Sequence, residues 1–482
     1  MKHAAASPNA SGPDAWSPAL ALVLVAVLLA GTLFGYDQGV ISGALDGVQR
    51  DFKLSALAVE IVTSWVTLGA LAGSLAGGEL ADRLGRRRAL LAAGALFATG
   101  AAIEALAPST TVLVAGRLVV GFGVGVAAVA APLYAAELAP ANMRGRFVAT
   151  YQLAITGGIF LSYLVDAALA GEGRWRTMLG ASAVPAVLLF VAMLAAVESP
   201  RWLARVGRRD EARAAIARAR PGLDADVRLT AIEASLREET GGATWREVFA
   251  PAWRRPLAVG IGLAVYQQVT GINAIIYYSD RIFAAAGFAS PAAQAQASTW
   301  AIGAVNVLAT LIAIAFIDRL GRRPLLLAGL VGMGASLAVV GIAFAQIAPG
   351  AGGGGPTTAG LVTLGALVVF IASFAFSLGP VVWTVINEIF PGRVRGRAVA
   401  VATAVNWGAA FVVSQTFLSL VDAIGESLTF GLFALFCAVG FAWVYRQVPE
   451  TKGRSLEQIQ ALWGQPAGGE AGNAAIVAAE DA

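Results

Sequence analysis

Charge is scarce in this sequence. Of its 482 residues only 13% are Asp, Glu, Lys or Arg, about half the share usual in a soluble globular protein. That shortage leaves almost nothing for a soluble domain. The net charge of +4 resides mainly in short loops, which reads as a topology signal and not as a surface for nucleic acid. There is one cysteine, Cys437, which excludes an internal disulfide and a cysteine-rich metal site. It lies in an apolar run and reads as a small packed residue. There is one histidine, His3, in the polar N-terminal stretch, so any proton carrier inside a membrane has to be a carboxylate. No His, Cys or paired-carboxylate constellation falls in the apolar runs. Neither an enzyme of the membrane nor a resident metal or cofactor is therefore expected.

Long apolar runs are abundant. Mean hydropathy is +0.71, and stretches of roughly 20 residues recur, each long enough to cross a hydrocarbon core about 30 Å thick. Spans are expected near 18–45, 57–80, 89–107, 111–138, 147–170 and 177–197, and again near 256–284, 298–317, 324–347, 360–388, 398–422 and 428–446. The expectation is an all-α membrane protein of twelve transmembrane helices in two six-helix halves, 18–199 and 256–447. A charged connection, 200–255, is too polar to insert and carries its charges at helical spacing, so short amphipathic helices are expected there. Residues 1–17 and the tail within 448–482 read as disordered, and the apolar run from Ala19 shows no signal-peptide cleavage site.

The loops sort by charge. Arg83, Arg86, Arg87 and Arg88 follow span two, Arg144 and Arg146 span four, Arg319, Arg322 and Arg323 span eight, and Arg393, Arg395 and Arg397 span ten. The alternate loops are mostly poor in Lys and Arg, with Arg174 and Arg176 the main exception. The positive-inside rule puts both termini in the cytoplasm.

The two halves repeat each other. Asp82-Arg83-Leu84-Gly85-Arg86-Arg87 recurs as Asp318-Arg319-Leu320-Gly321-Arg322-Arg323. Glu137, Pro140, Arg144, Gly145 and Arg146 recur as Glu388, Pro391, Arg395, Gly396 and Arg397 at identical spacing. Such repeats place a substrate site near the midplane between halves that rock to expose it on either side. The arginines alone would fit a topology signal, but carboxylates contribute little to orientation. These groups, with Glu198 and Arg201 after span six, are expected to form ion pairs, within a half or across the halves, that hold the cytoplasmic side shut.

On these residues the chain resembles the sugar porter family of the major facilitator superfamily. The resemblance rests on the two Asp-Arg-Leu-Gly-Arg-Arg loops, Gly35-Tyr36-Asp37-Gln38-Gly39-Val40-Ile41-Ser42-Gly43, and Pro132-Leu133-Tyr134-Ala135-Ala136-Glu137. It rests further on Glu198-Ser199-Pro200-Arg201, Gln267-Gln268-Val269-Thr270-Gly271-Ile272-Asn273, Gly379-Pro380-Val381-Val382-Trp383 and Pro449-Glu450-Thr451-Lys452-Gly453. It spans residues 18 to about 460. What it implies is a bacterial plasma-membrane carrier of a monosaccharide, glucose or a related hexose first. Xylose or myo-inositol symport and passive uniport are the alternatives. A sugar sensor of this family would carry longer cytoplasmic extensions.

The residues themselves suit a sugar. Gln267, Gln268 and Asn273 are five and six positions apart, off any single narrow stripe, and converge only if the helix breaks, as Gly271 allows. Amides donate and accept without charge, which fits a polyol. In membrane helices they also join neighbours, for roughly 0.6–2 kcal/mol each, so a single amide reads either way. The resemblance implies that Gln152, Gln267, Gln268, Asn273, Asn306, Trp383 and Asn406 line the site. Trp383, just after Gly379-Pro380, can present its face to a sugar ring while its N–H donates. Phe376, Trp407, Tyr277 and Tyr278 are weaker candidates, and Gly121, Gly123 and Gly125 suggest close helix contact.

Asp37 lies 19 residues into the first span, where an ionisable group costs at least ~2.5 kcal/mol and marks a functional site by default. Arg117 in span four is the expected partner. Beside the guanidinium the carboxylate stays ionised, and away from it burial favours the acid. That alternation can carry a proton, and the resemblance implies the same, since proton-coupled sugar porters keep an aspartate at this position. The partners expected are thus a sugar, a proton and the bilayer, with no nucleic acid. One chain holds both halves, so a monomer suffices.

Overall fold

The computed structural model describes residues 17–140, 144–170, 174–222, 224–238, 244–347, 357–390, 392–454 and 458–459. The stretches read above as tails lie outside these except for Ser17, 448–454 and 458–459. The described residues are helical, with no strand.

The first half is built from α1 (Pro18–Phe52), α2 (Ala56–Leu84), α3 (Arg86–Ala105), α4 (Thr110–Leu138), α5 (Arg144–Leu169), and a sixth span made of α6 (Trp175–Ala181) and α7 (Ala183–Ala195). Ser17, Ser55 and Ser109 cap α1, α2 and α4 by accepting from backbone N–H groups. The first helix runs seven residues beyond its expected end at 45, because a helix does not stop where its side chains turn polar. The small-residue faces close the packing. A Cβ on Gly121 or Gly125 would fall 2.0 or 2.2 Å from the carbonyls of Val66 and Ala70 in α2, and one on Gly123 3.0 Å from Ala93 O in α3. Gly35 makes the same approach between α1 and α5, its Cβ position 1.8 Å from Ile155 O.

A cluster of short helices follows: α8 (Pro200–Arg205), α9 (Arg209–Ala219), α10 (Ala225–Glu238) and α11 (Trp245–Val248). Trp202, Leu203, Ala212, Ala215, Ile216 and Leu229 form a small core of its own. Ion pairs Arg209–Glu233 and Arg213–Asp226, each 2.7 Å, lie on its surface.

The second half repeats the plan with broken helices. Span seven is α12 (Arg254–Val269), α13 (Ile272–Tyr277) and α14 (Ser279–Ala285). Span eight begins earlier than expected, with α15 (Pro291–Ala297), a π-helical stretch Ser298–Ala304 and α16 (Val305–Leu320). Next come α17 (Arg322–Ala345), then α18 (Thr358–Phe376) and α19 (Leu378–Glu388) as span ten, broken at Ser377. Spans eleven and twelve are two helices within Gly392–Gln447 (together α20), separated at Gly425, whose non-helical φ of 79° suits glycine. Among the described residues this makes twelve spans.

The Asp-Arg-Leu-Gly-Arg-Arg loops tie four helices of each half. Gly85 (φ 95°) and Gly321 (φ 89°) precede α3 and α17 and have no side chain with which to cap them. The Glu198 carboxylate accepts from Arg87 N at 3.1 Å, and Glu450 from Arg322 N and Arg323 N at 3.0 Å. The guanidinium of Arg86 reaches Glu137 at 2.9 Å and Asp82 at 3.1 Å, and that of Arg322 reaches Glu388 at 2.9 Å. Ser199 and Thr451 donate to those same two glutamates. Arg87 donates to Met193 O and Leu194 O, and Arg323 to Tyr445 O, at the ends of the last helices of the halves.

These ion pairs join helices within a half, one of the two arrangements expected. Asp82 also meets Arg205 of α8 at 3.0 Å, and Arg201 donates to Ser235 of α10 at 3.4 Å. Arg395 donates to Phe390 O at 3.0 Å. The side chains of Arg144 and Asp318 lie outside the described residues.

The halves meet at the opposite face. Ser42 bonds Ser279 at 2.8 Å, Glu60 accepts from Ser419 N and Oγ at 2.7 Å, and Ser64 donates to Gln415 at 2.7 Å. Tyr163 donates to Ile276 O at 2.9 Å, and Arg281 to Gln49 at 2.5 Å. On that face Arg176, the exception to the charge asymmetry, pairs with Asp51 at 2.8 Å and lies over the Trp175 ring.

Candidate functional site

The break in span seven builds the amide cluster. At Gly271 the backbone takes φ 92°, and a Cβ there would fall 2.7 Å from Phe433 Cδ2, so both conformation and space require glycine. The break ends α12 just after Gln267 and Gln268 and starts α13 with Asn273 in its first turn. All three side chains are buried.

They belong to a head-to-tail chain of amides. Gln38 of α1 donates to Asn273 Oδ1 (3.4 Å), and Asn273 Nδ2 to Gln268 Oε1 (2.8 Å). Gln268 Nε2 donates to Asn406 Oδ1 (3.2 Å), and Asn406 Nδ2 to Gln267 Oε1 (2.8 Å). Gln267 Nε2 ends the chain on Leu378 O (2.8 Å), at the break in span ten. Asn273, Gln268, Asn406 and Gln267 therefore each use donor and acceptor at once, a full set of the groups a sugar hydroxyl can meet. Trp383 stands on α19, one turn past Gly379, and is half-buried. Gln152 on α5 is half-buried and Asn306 on α16 buried; neither belongs to the amide chain. Trp407 stacks obliquely on Phe34 at 5.4 Å, bringing an aromatic pair across the two halves.

Asp37, next to Gln38 on α1, meets Arg117 of α4: Arg117 Nη1 donates to Asp37 Oδ1 at 2.5 Å. Arg117 Nε donates to Val62 O at 3.2 Å. Both side chains are buried, Asp37 5% and Arg117 0% exposed. Two polar groups at this place escaped the sequence reading. Gln38 was legible only as part of a motif, though it follows Asp37 in the chain and bonds across the halves to Asn273. Glu104 of α3 lies 3.7 Å from Arg117 Nη1. Its position at the end of an apolar run reads as interfacial, and only the fold buries it.

The sequence of residues 22–463 matches the family model described as sugar (and other) transporter. The chain belongs to that family. The transporter is 39% identical to the D-xylose transporter of Levilactobacillus brevis over 438 residues, covering 90% of this chain and 93% of that protein. It is 38% identical to the galactose-proton symporter of Escherichia coli (strain K12) over 434 residues, covering 90% and 92%. Among solved structures it is similar to the inward open conformation of the xylose transporter XylE from E. coli, with a TM-score of 0.78, 29% identity and coverage of 92% and 100%. The transporter is thus a multi-pass membrane protein and no enzyme.

Proposed function

We propose that this transporter imports a monosaccharide together with a proton by alternating access, glucose or a related hexose being the first assignment and xylose or myo-inositol the alternatives. The observation that carries the reading is the continuity of the polar path: Asp37 and Arg117 stand beside Gln38, which bonds across the halves to the amide chain on spans seven and eleven. Relatives named as a galactose-proton symporter and a D-xylose transporter support it.

In this reading the sugar lies among Gln152, Gln267, Gln268, Asn273, Asn306, Trp383 and Asn406. The Trp383 ring packs on its C–H face, and the amides exchange their mutual bonds for bonds to hydroxyls. Asp37 takes the proton, which loosens its bond to Arg117. Because Gln38 bonds to Asn273, a change at Asp37 alters the register of one half on the other. One charge crossing 100 mV is worth ~2.3 kcal/mol, enough for roughly fifty-fold accumulation.

The arginine loops face the cytoplasm, as do both termini, and the membrane is the plasma membrane. The halves 18–199 and 256–447 move as bodies, with 200–255 between them and 448–454 clamped to the second. The seam closed here is then the external one, so this conformation faces inward. The clamps built on Asp82, Arg86, Glu137, Glu198, Arg322 and Glu388, with Arg144, Arg201, Asp318 and Arg395 at the same ends, hold each half rigid and set how the cytoplasmic side closes. A single chain suffices.

The test is purified protein in liposomes loaded with a pH-sensitive dye, with glucose added outside and no initial gradient. Internal acidification, absent in Asp37→Asn while sugar exchange persists, is the expected result. Sugar entry without acidification makes the protein a uniporter. No response to glucose, but one to xylose or myo-inositol, reassigns the sugar.

A further inference from the structure

Glu104 is a buried carboxylate, 1% exposed, to which the mechanism above gives no task. Glycine makes its room: a Cβ on Gly116 of α4 would fall 2.7 Å from Glu104 Cγ, and one on Gly100 of α3 would fall 3.1 Å from Gly116 O. The next residue of α4 is Arg117, whose Nη1 stands 2.5 Å from Asp37 Oδ1 and 3.7 Å from Glu104 Oε1. Arg117 Nη2 and Glu104 Oε1 are both buried without a hydrogen-bond partner. One enclosed site thus holds an unused donor on the cation and an unused acceptor on the second carboxylate.

The surroundings add no further unpaired charge among the described residues. Helix α1 contributes Asp37 and Gln38, α2 the Val62 carbonyl, and α13 the Tyr277 phenol. From α6, Arg176 reaches the end of α3, where it donates to Ala107 O, but it is paired with Asp51.

Charge counting then decides what a proton does here. With Asp37 alone, protonation would leave Arg117 a buried cation without a counterion, which is strongly disfavoured. With Glu104 also present, two carboxylates face one guanidinium, and one added proton brings the trio to neutrality. We propose that Glu104 is the second carboxylate of the proton site, and that Arg117 pairs with whichever of Asp37 and Glu104 is ionised. The incoming proton forms one O–H bond on a carboxylate oxygen, the guanidinium transfers its donors to the other carboxylate, and release reverses both. Glu104 thereby acts through Arg117 as a positioning residue. The inference rests on the proton-symport reading.

The experiment is sugar-driven proton uptake into liposomes, measured as a function of external pH for wild type, Glu104→Gln and Glu104→Asp. Removing the second carboxylate makes loading create an uncompensated cation, so it requires more acid. For Glu104→Gln the midpoint of the profile is expected to fall by about one pH unit or more, the usual scale for a charge this close. Glu104→Asp keeps the charge and is expected to stay near wild type. If Glu104→Gln lowers the rate equally at every pH and leaves the midpoint in place, Glu104 is a static neighbour and the proposal is overturned while symport stands. If wild type carries sugar with no proton signal, the symport reading fails and takes this proposal with it. Should Glu104→Gln not fold, Gly116→Ala, which presses a methyl into the Glu104 contact, is read in the same assay. A shift to lower pH supports the proposal, and an unmoved midpoint overturns it.

Discussion

Glu198 and Glu450, at corresponding places in the two halves, each supply the N-terminal cap that a glycine cannot. Each carboxylate accepts backbone N–H groups at the start of the third helix of its half, α3 or α17, where it also meets the positive end of the helix dipole. Their electrostatics differ. Burial outweighs the N–H groups of Ser199, Arg87 and Arg86 and holds the Glu198 carboxyl above its usual range. At Glu450 burial acts in the same direction, but the N–H groups of Lys452, Arg322, Arg323 and Thr451 together prevail and hold the carboxyl below its usual range. A depressed carboxylate stabilises above its unfolded-state value and loses that contribution as pH falls through its folded one; a raised carboxylate does the reverse. At pH 7 Glu450→Gln is therefore expected to lower the melting temperature in detergent more than Glu198→Gln, with the gap closing toward pH 4. Equal losses at both pH values would contradict this account.

The amide chain yields a split in kinetic constants. Gln268→Ala deletes the member that accepts from Asn273 and donates to Asn406. Sugar KM is expected to rise roughly tenfold, the scale of one neutral hydrogen bond, while maximal exchange changes less. Asn387→Ala is the control, since among the described residues that exposed amide donates to Trp383 O of its own helix. Equal effects of the two substitutions in a counterflow assay would remove Gln268 from the site.

Helix contact through glycine is open to a direct check. Gly121→Leu places its Cβ 2.0 Å from Val66 O, where backbone must move, whereas a Cβ at Gly365 meets nothing within 4 Å. Gly121→Leu is expected to give no monodisperse protein by size-exclusion chromatography in detergent, and Gly365→Leu to run as wild type.

The seam between the halves can be locked. Ser42 and Ser279 stand with their hydroxyls 2.8 Å apart, and Cys437 is fully buried and does not compete. Oxidation of the Ser42→Cys, Ser279→Cys double variant is expected to stop transport, and reductant to restore it. Continued transport by cross-linked protein would show that this seam need not open.

Much of this molecule is written locally. The spans follow from hydropathy, and the break at Gly271 from one residue whose conformation and neighbour Phe433 both demand glycine. The Asp37–Arg117 pair was legible because an isolated charge in an apolar run needs a partner. The rest depends on distant parts of the chain. The repeat was visible in the arginine loops, but its closing members, Glu198-Ser199 and Glu450-Thr451, sit in different sequence contexts and only the fold shows them as equivalents. Glu60 reads as a polar residue near a helix start, yet it is fully buried against Ser419 of the other half. Spans eleven and twelve are separate helices, as expected, and part at Gly425 with almost no connecting loop.

The bonds inside a half and those between halves differ in kind. Within a half, charged clamps are doubled by backbone caps. Across the seam, most links are neutral hydroxyls and amides such as Ser42–Ser279 and Ser64–Gln415, each worth about 1 kcal/mol net. For stiff bodies joined by fasteners this weak, a ligand that favours one arrangement by a few kcal/mol is enough to shift the population between arrangements.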